Sequence, residues 1–286
     1  MIHAVLDPFV EFAFMRRALV GCLAISMTAP PIGVFLMLRR MSLMGDAISH
    51  AILPGAAIGY LVAGMSLGAM TLGGIVAGVA VALAAGAVAR RSALREDASL
   101  AAFYLISLAI GVLLVSLRSR NVDLLHVLFG SVLSLDADTL MLIAGIATVS
   151  LFGLALLYRP LVIECADPAF LRQAGGPGAV AHMGFLLLAV LNLVAGFHAL
   201  GTLMAVGIMV LPAAAARLIS DRLDTMLALA VAFALAGSLG GLLLSYHGDV
   251  PAGPSVVMSL GFIYLLVLLT SALLPRRHWH TGETTG

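Results

Sequence analysis

The stretch SLMGDAISHAILPGAAIGYL, residues 42–61, decides how this chain folds. It is apolar enough, and long enough at roughly 20 residues, to cross a bilayer as one helix. Asp46 and His50 interrupt it four positions apart, so on a helix both point along one face. An ionised carboxylate deep in a bilayer costs about 2.5–3.5 kcal/mol, so such residues persist where they face a cavity, a partner or an ion. Pro54 sharpens the pattern, because it offers no N–H to the carbonyl of His50 four residues back. A carboxylate, an imidazole and a freed backbone oxygen thus gather within about one turn. That donor set forms half a site for a divalent cation of the manganese, iron or zinc kind. Copper(I) is disfavoured, since Met44 is the only soft sulfur on this face. The competing reading makes Asp46 a helix cap near Arg39 and Arg40 at the inner interface, with His50 packed on a neighbour. Spacing alone leaves both open.

The rest of the chain agrees with a membrane protein. Of its 286 residues 62% are hydrophobic and only 10% charged, with a mean hydropathy of +1.13. Soluble domains carry roughly 25% charge. Apolar runs predict spans near 13–38, 45–64, 67–89, 98–117, 138–158, 179–197, 199–219, 224–246 and 255–274. The working count is nine in an all-α polytopic bundle. It falls to eight if the short break at Phe197-His198-Ala199 lies inside one broken or re-entrant helix. Residues 1–286 are expected to form a single transmembrane domain. The start of the chain lacks the pattern of a cleaved signal, so the first span is expected to be retained.

All 15 basic residues are arginine. Without lysine there is no Walker-A loop and no Schiff base, so energy from ATP would have to enter through a partner. Cys22 and Cys165 form no ligand-spaced pair. Nine spans with a cytoplasmic C-terminus put Arg39, Arg40, Arg90, Arg91, Arg95, Arg159, Arg172, Arg217, Arg222, Arg276 and Arg277 inside, and leave only Arg16, Arg17, Arg118 and Arg120 outside. The positive-inside rule therefore predicts an outer N-terminus and an inner C-terminus. Small residues recur at every fourth position in Gly55/Gly59, in Gly74/Gly78/Ala82/Gly86 and in Gly237/Gly241. Such faces let backbones approach closely, chiefly within the chain and alternatively at a subunit interface.

Several polar segments remain. In the inner loop at 164–178, Asp167 is placed to cap a short helix that has Pro168 at its first position and ends at Gly175. Ala169, Phe170, Leu171 and Arg172 would give that helix an amphipathic surface. At the outer end of the eighth span, His247 and Asp249 could receive a cation, although Gly-Asp and Pro-Gly are also ordinary turn chemistry. The outer loop from Asn121 to Asp138 reads as a solvated connector or a partner-docking site. His182 and His198 are expected to be satisfied by neighbours, and Asn192 to hydrogen-bond between helices. Pro54 and Pro212 are expected kink positions. The tail His278-Trp279-His280 after Arg276-Arg277 suits an interfacial anchor.

Residues 42–61 resemble the signature of permease subunits of zinc/manganese/iron-type metal-ion ABC importers. The likeness extends to GTLMAVGIMVLPAAAARLI at 201–219, to the Asp-x-Pro-x-Gly-Pro pattern at 249–254 and to Leu128-Phe129-Gly130. It implies a bacterial inner-membrane permease with no catalysis of its own. The permease would be paired with a second permease, a copy of itself or a related chain, bound to cytoplasmic ATP-binding-cassette subunits and fed by an extracytoplasmic metal-binding protein. It implies further that Asp46 and His50 lie on the path of a transported divalent cation that is not tightly held. Asp249 would match the family's acidic residue at the outer end of a late span, and 164–175 would match the coupling helix. Gly175-Gly176-Pro177-Gly178 is richer in glycine and proline than that pattern. Two classes compete with this expectation. An ion-coupled secondary transporter should show matching halves, and no convincing internal repeat is visible. An intramembrane metalloenzyme should show an H-E-x-x-H pattern, which is absent.

Overall fold

The computed structural model describes residues 2–41, 44–64, 66–91, 96–118, 135–167, 170 and 176–273. They form ten helices: α1 (Ile2–Glu11), α2 (Ala13–Leu38), α3 (Met44–Ala63), α4 (Leu67–Arg91), α5 (Glu96–Arg118), α6 (Ala137–Ala166), α7 (Gly178–Leu200), α8 (Thr202–Ile219), α9 (Leu223–Gly248) and α10 (Ala252–Leu273). Eight of these are long and apolar enough to cross a membrane, and α5 adds the shorter apolar stretch Ala98–Leu113. The chain is thus a multi-pass helical protein.

Burial along each helix follows its neighbours. α2 and α7 are mostly buried and form the centre, whereas α6 and α10 keep most of their surface outward, as lipid-facing helices do. α2 packs on α6, α7, α8 and α9, and α3 is held between α4 and α5. Polar residues in the interior find partners across helices. Asn192 Nδ2 donates to Ser150 Oγ at 2.7 Å, the interhelical bond expected of it, and Ser26 Oγ lies 3.0 Å from Ser238 Oγ.

Small residues set the closest approaches, and they do so within the chain. Gly55 lies against the carbonyl of Gly73, and Gly59 against that of Ala69. Gly74 and Gly78 meet Ile52 and Val190, and Gly237 and Gly241 meet Leu260 and Val256. α4 thus receives α3 on Ala69, Gly73 and Ala77 and, through Ile52, on Gly74 and Gly78 of the stripe that the fourfold spacing picks out.

Two boundaries differ from the sequence expectation. α6 continues through Pro160 to Ala166 instead of stopping near 158, so Glu164 and Cys165 are helical and the connector starts at Asp167. A proline removes one intrahelical bond, which a long helix packed on both α2 and α7 absorbs. The break between α7 and α8 falls at Gly201, not at 197–199. Gly201 has φ 82° and ψ 163°, a conformation essentially closed to residues with a Cβ. That single residue turns the chain, so that Gly196 comes to lie against Ala205 and the two segments form separate helices.

Candidate metal path

Asp46 sits in the first turn of α3, where the helix dipole favours a negative charge. His50 follows one turn later, and its Nε2 is 3.6 Å from Asp46 Oδ1. The two groups face one another, as the i, i+4 spacing requires, at a distance beyond a short hydrogen bond. An ion accepted between them would therefore break no strong contact. The His50 ring stacks at 5.9 Å on Tyr104 of α5, which fixes its plane. Its Nδ1 is buried with no hydrogen-bond partner. Histidine ligands gain basicity when the second ring nitrogen donates to an acceptor. Lacking one here, His50 would bind an ion less tightly than a histidine with such a partner.

The pair opens onto a cavity of about 450 Å³ lined by Asp46, Ser49 and His50 of α3, by Thr202, Val206 and Val210 of α8, and by Val257 of α10. The Asp46 side chain is 58% exposed and that of His50 30%, so the cavity is open at the surface of the single chain. The α3–α8 seam is close because Gly45 lets the start of α3 lie on Met209 and Val210 of α8. Likewise Gly33 of α2 lies against the Met209 carbonyl. Ser49 Oγ donates to the Asp46 carbonyl at 2.7 Å. Pro54 lies inside α3 and Pro212 inside α8, and both helices continue past them. Pro54 packs on Gly111 of α5, where a Cβ would come within 3.1 Å of the proline nitrogen.

The structural reading of Asp46 is only half met. It does occupy the first turn, but Arg39 does not pair with it. Arg39 Nη2 instead donates to Glu164 Oε1 at 2.8 Å and to His182 Nδ1 at 2.6 Å. Arg40 is exposed, in a left-handed turn at φ 58°. Asp46 thus keeps no arginine partner from that corner.

The other sequence candidates stand apart from this cavity. Asp249 caps α9 in the left-handed region at φ 51°, with its N–H on the Ser245 carbonyl, and Ser245 Oγ donates to the Val250 carbonyl at 2.6 Å. His247 meets Tyr246 edge-on at 5.2 Å. Neither lines the Asp46/His50 cavity. Asp167 Oδ1 accepts from the backbone N–H of Phe170 at 2.9 Å, which is the capping bond expected for a helix beginning there. Phe170 is exposed. Pro168, Ala169, Leu171, Arg172 and Gly175 lie outside the described residues, as do Leu128-Phe129-Gly130 and the His278/His280 tail. Just before α6, Asp136 caps that helix, and hydrogen bonds from Thr139 hold its carboxyl below the usual carboxylate range.

Among the described residues no cluster of three or more His, Cys, Asp or Glu side chains could hold a metal. At this place the described residues bring together two side chains of ligand type, Asp46 and His50. Tyr104 and the α8 lining escaped sequence reasoning, as did the Arg39–Glu164–His182 cluster. The one local signal for the cluster was an acid, Glu164, in the otherwise apolar run Leu161-Val162-Ile163.

Comparison with known proteins adds a relationship over nearly the whole chain. The family described as ABC 3 transport family matches residues 11–271. A manganese transport system membrane protein of Halalkalibacterium halodurans is 33% identical over 267 residues, covering 93% of this chain and 90% of the relative. A manganese import system permease protein of Streptococcus parasanguinis is 30% identical, covering 93% of this chain and 94% of the relative. The solved PsaBC from Streptococcus pneumoniae, in complex with a Fab, superposes with a TM-score of 0.82 at 29% identity, over 94% of this chain and 95% of that one.

Proposed function

The chain belongs to the ABC 3 transport family, and from that membership we propose that it is the membrane-spanning permease of an ATP-driven divalent metal-ion importer, with Asp46 and His50 on the ion's path. The whole chain serves as one permease domain and carries out no catalysis itself. Its cargo is a first-row divalent ion, with manganese favoured by what its relatives are named for. The observation that carries the reading is the Asp46/His50 pair, 3.6 Å apart, opening onto a 450 Å³ cavity at the chain's own surface.

Two ligands per chain are too few for a divalent ion, which takes about six with oxygen-rich donors. A second copy set against this surface doubles them to two carboxylates and two imidazoles, with water completing the shell. Incomplete coordination suits a transport site, where binding must be weak enough to let the ion leave. The cavity's wall of Val206, Val210 and Val257 holds no ligand, so the α3 pair supplies its carboxylate and imidazole.

ATP hydrolysis takes place in partner subunits on the inner face, which the arginine distribution assigns to the 164–178 side. The Asp167 cap presents Phe170 outward, an apolar knob on which an ATPase subunit can push. An extracytoplasmic binding protein delivers the ion to the opposite face, where His247 and Asp249 lie at the end of α9.

Reconstitution in proteoliposomes tests this reading. With its ATPase subunits, its binding protein and ATP, the permease is expected to accumulate manganese, and to accumulate none without the ATPase. Accumulation at the same rate by the permease alone, driven by an ion gradient, would establish a secondary transporter instead.

A further inference from the structure

Arg39, Glu164 and His182 meet where three helix ends converge. Arg39 caps α2, Glu164 lies on the last turn of α6, and His182 lies on the second turn of α7. The segment between Glu164 and His182 contains the Asp167–Phe170 cap, so one arginine holds both feet of that segment. It does so through a single nitrogen, Nη2, at 2.8 Å from Glu164 Oε1 and 2.6 Å from His182 Nδ1. The guanidinium also lies over the Phe185 ring, 5.3 Å from its centroid. Side-chain exposure is only 11% for Arg39 and 15% for Glu164.

The cluster is half satisfied. Arg39 Nη1 and Glu164 Oε2 are both buried without a hydrogen-bond partner. Guanidinium and carboxylate match as a fork of two parallel bonds, and here only one prong is made. A small displacement of the α6 end would close the second prong and satisfy both orphaned atoms, while Nη2 keeps a second N–H for His182. The cluster therefore has two discrete bonding arrangements, which is what an element that passes on a movement requires.

The other side of Arg39 leads to the metal path. After Arg39 the chain makes a left-handed turn at Arg40, with the Met41 N–H on the Leu36 carbonyl at 2.8 Å. The Met44 N–H then bonds the Met41 carbonyl at 3.0 Å and opens α3, whose first turn carries Asp46. Met41 and Met44 are both buried, and their backbone bond ties the end of α2 to the start of α3.

We propose that Arg39 is a positioning residue that links the inner connector to the Asp46/His50 helix, with the single and forked bonds to Glu164 as its two states. Movement of the α6 end changes which bond is made, and the buried Met41 and Met44, joined by their backbone bond, carry the change to the start of α3. The inference rests on reading 167–172 as the ATPase contact, and its test separates the two.

The measurement is manganese transported per ATP hydrolysed by the reconstituted complex with its ATPase subunits and binding protein. Removing both charges together as Arg39→Met with Glu164→Leu leaves no unpaired buried charge, so the complex is expected to assemble and hydrolyse ATP. The ratio is expected to fall about tenfold. Glu164→Gln, a near-isostere that keeps the packing but loses the charged fork, is expected to show a similar loss. Arg39→Lys keeps one charged bond but cannot fork, and should not restore the ratio. A merely structural role would lower the amount of assembled complex and leave this ratio unchanged. A wild-type ratio in the double variant or in Glu164→Gln overturns the inference, and full coupling in Arg39→Lys overturns the forked state. The connector is tested in parallel with Phe170→Asp. An unchanged ratio in that variant overturns the ATPase-contact reading instead.

Discussion

Permeases carrying His50→Ala or Asp46→Ala, inserted and assembled normally, are expected to import manganese at about one hundredth of the normal rate or less. The argument is one of ligand number. On the proposed reading each chain brings Asp46 and His50 to the cavity as ligands, and in a paired permease one substitution removes two of four. Loss of a mere supporting partner to a metal ligand already costs about 10- to 100-fold. The isosteric changes discriminate more sharply than alanine does. Asp46→Asn keeps the size and hydrogen-bonding capacity of the side chain and removes only its charge. Were Asp46 just a first-turn residue interacting with the helix dipole, that change would cost roughly 0.3–1 kcal/mol of stability and leave uptake unaltered. As an ion ligand it should cost nearly all the uptake. Manganese uptake by cells with matched amounts of inserted permease reads the difference, and normal uptake by Asp46→Asn and His50→Ala would remove the pair from the path.

The second large effect concerns the frame that holds this pair. Gly55→Leu is expected to destabilise the solubilised protein by about 3 kcal/mol or more, seen as a lower midpoint in heat or detergent unfolding. A side chain at Gly55 meets the backbone carbonyl of Gly73, and one at Gly73 meets that of Gly55. Neither obstacle is the movable tip of a side chain, so α3 and α4 must separate. The contact continues one turn on, where Gly59 lies against the backbone of Ala69 and Met70. Because α3 also carries Asp46 and His50, separation would shift the metal path as well as weaken the fold. Gly68→Ala is the internal control. It lies in α4, and a Cβ there would meet nothing within 4 Å, so alanine should be neutral or mildly stabilising.

Much of this architecture was legible because a membrane writes its demands into local sequence. Every span needs a long apolar run, and the helix bounds for α2, α3, α8 and α9 fall within about three residues of those runs. The Asp46–His50 pairing was legible for the same reason, since i, i+4 spacing is local geometry. Pro160 misled because a proline weighs as a stop in sequence, whereas tertiary packing on α2 and α7 carries α6 past it. The break at Gly201 was missed in favour of Phe197-His198-Ala199, although a glycine at positive φ is where a one-residue turn must fall. Contacts between distant segments left no trace to read. Tyr104 reaches His50 from α5, and Arg39 finds Glu164 across 125 residues of sequence, with no periodicity linking either pair. The small-residue stripes announced close packing, chiefly within the chain, and Gly55, Gly59, Gly74, Gly78, Gly237 and Gly241 do pack there, but the stripes did not say which helix each would meet.

The most direct test of the account is to locate the ion. Anomalous diffraction, or cryo-microscopy with and without manganese, on the assembled transporter should show one ion between the Asp46 carboxylate and the His50 imidazole, shared by the two permease copies. An ion seated instead at His247 and Asp249, or Asp46 cavities that face away from each other in a transporting complex, would contradict it.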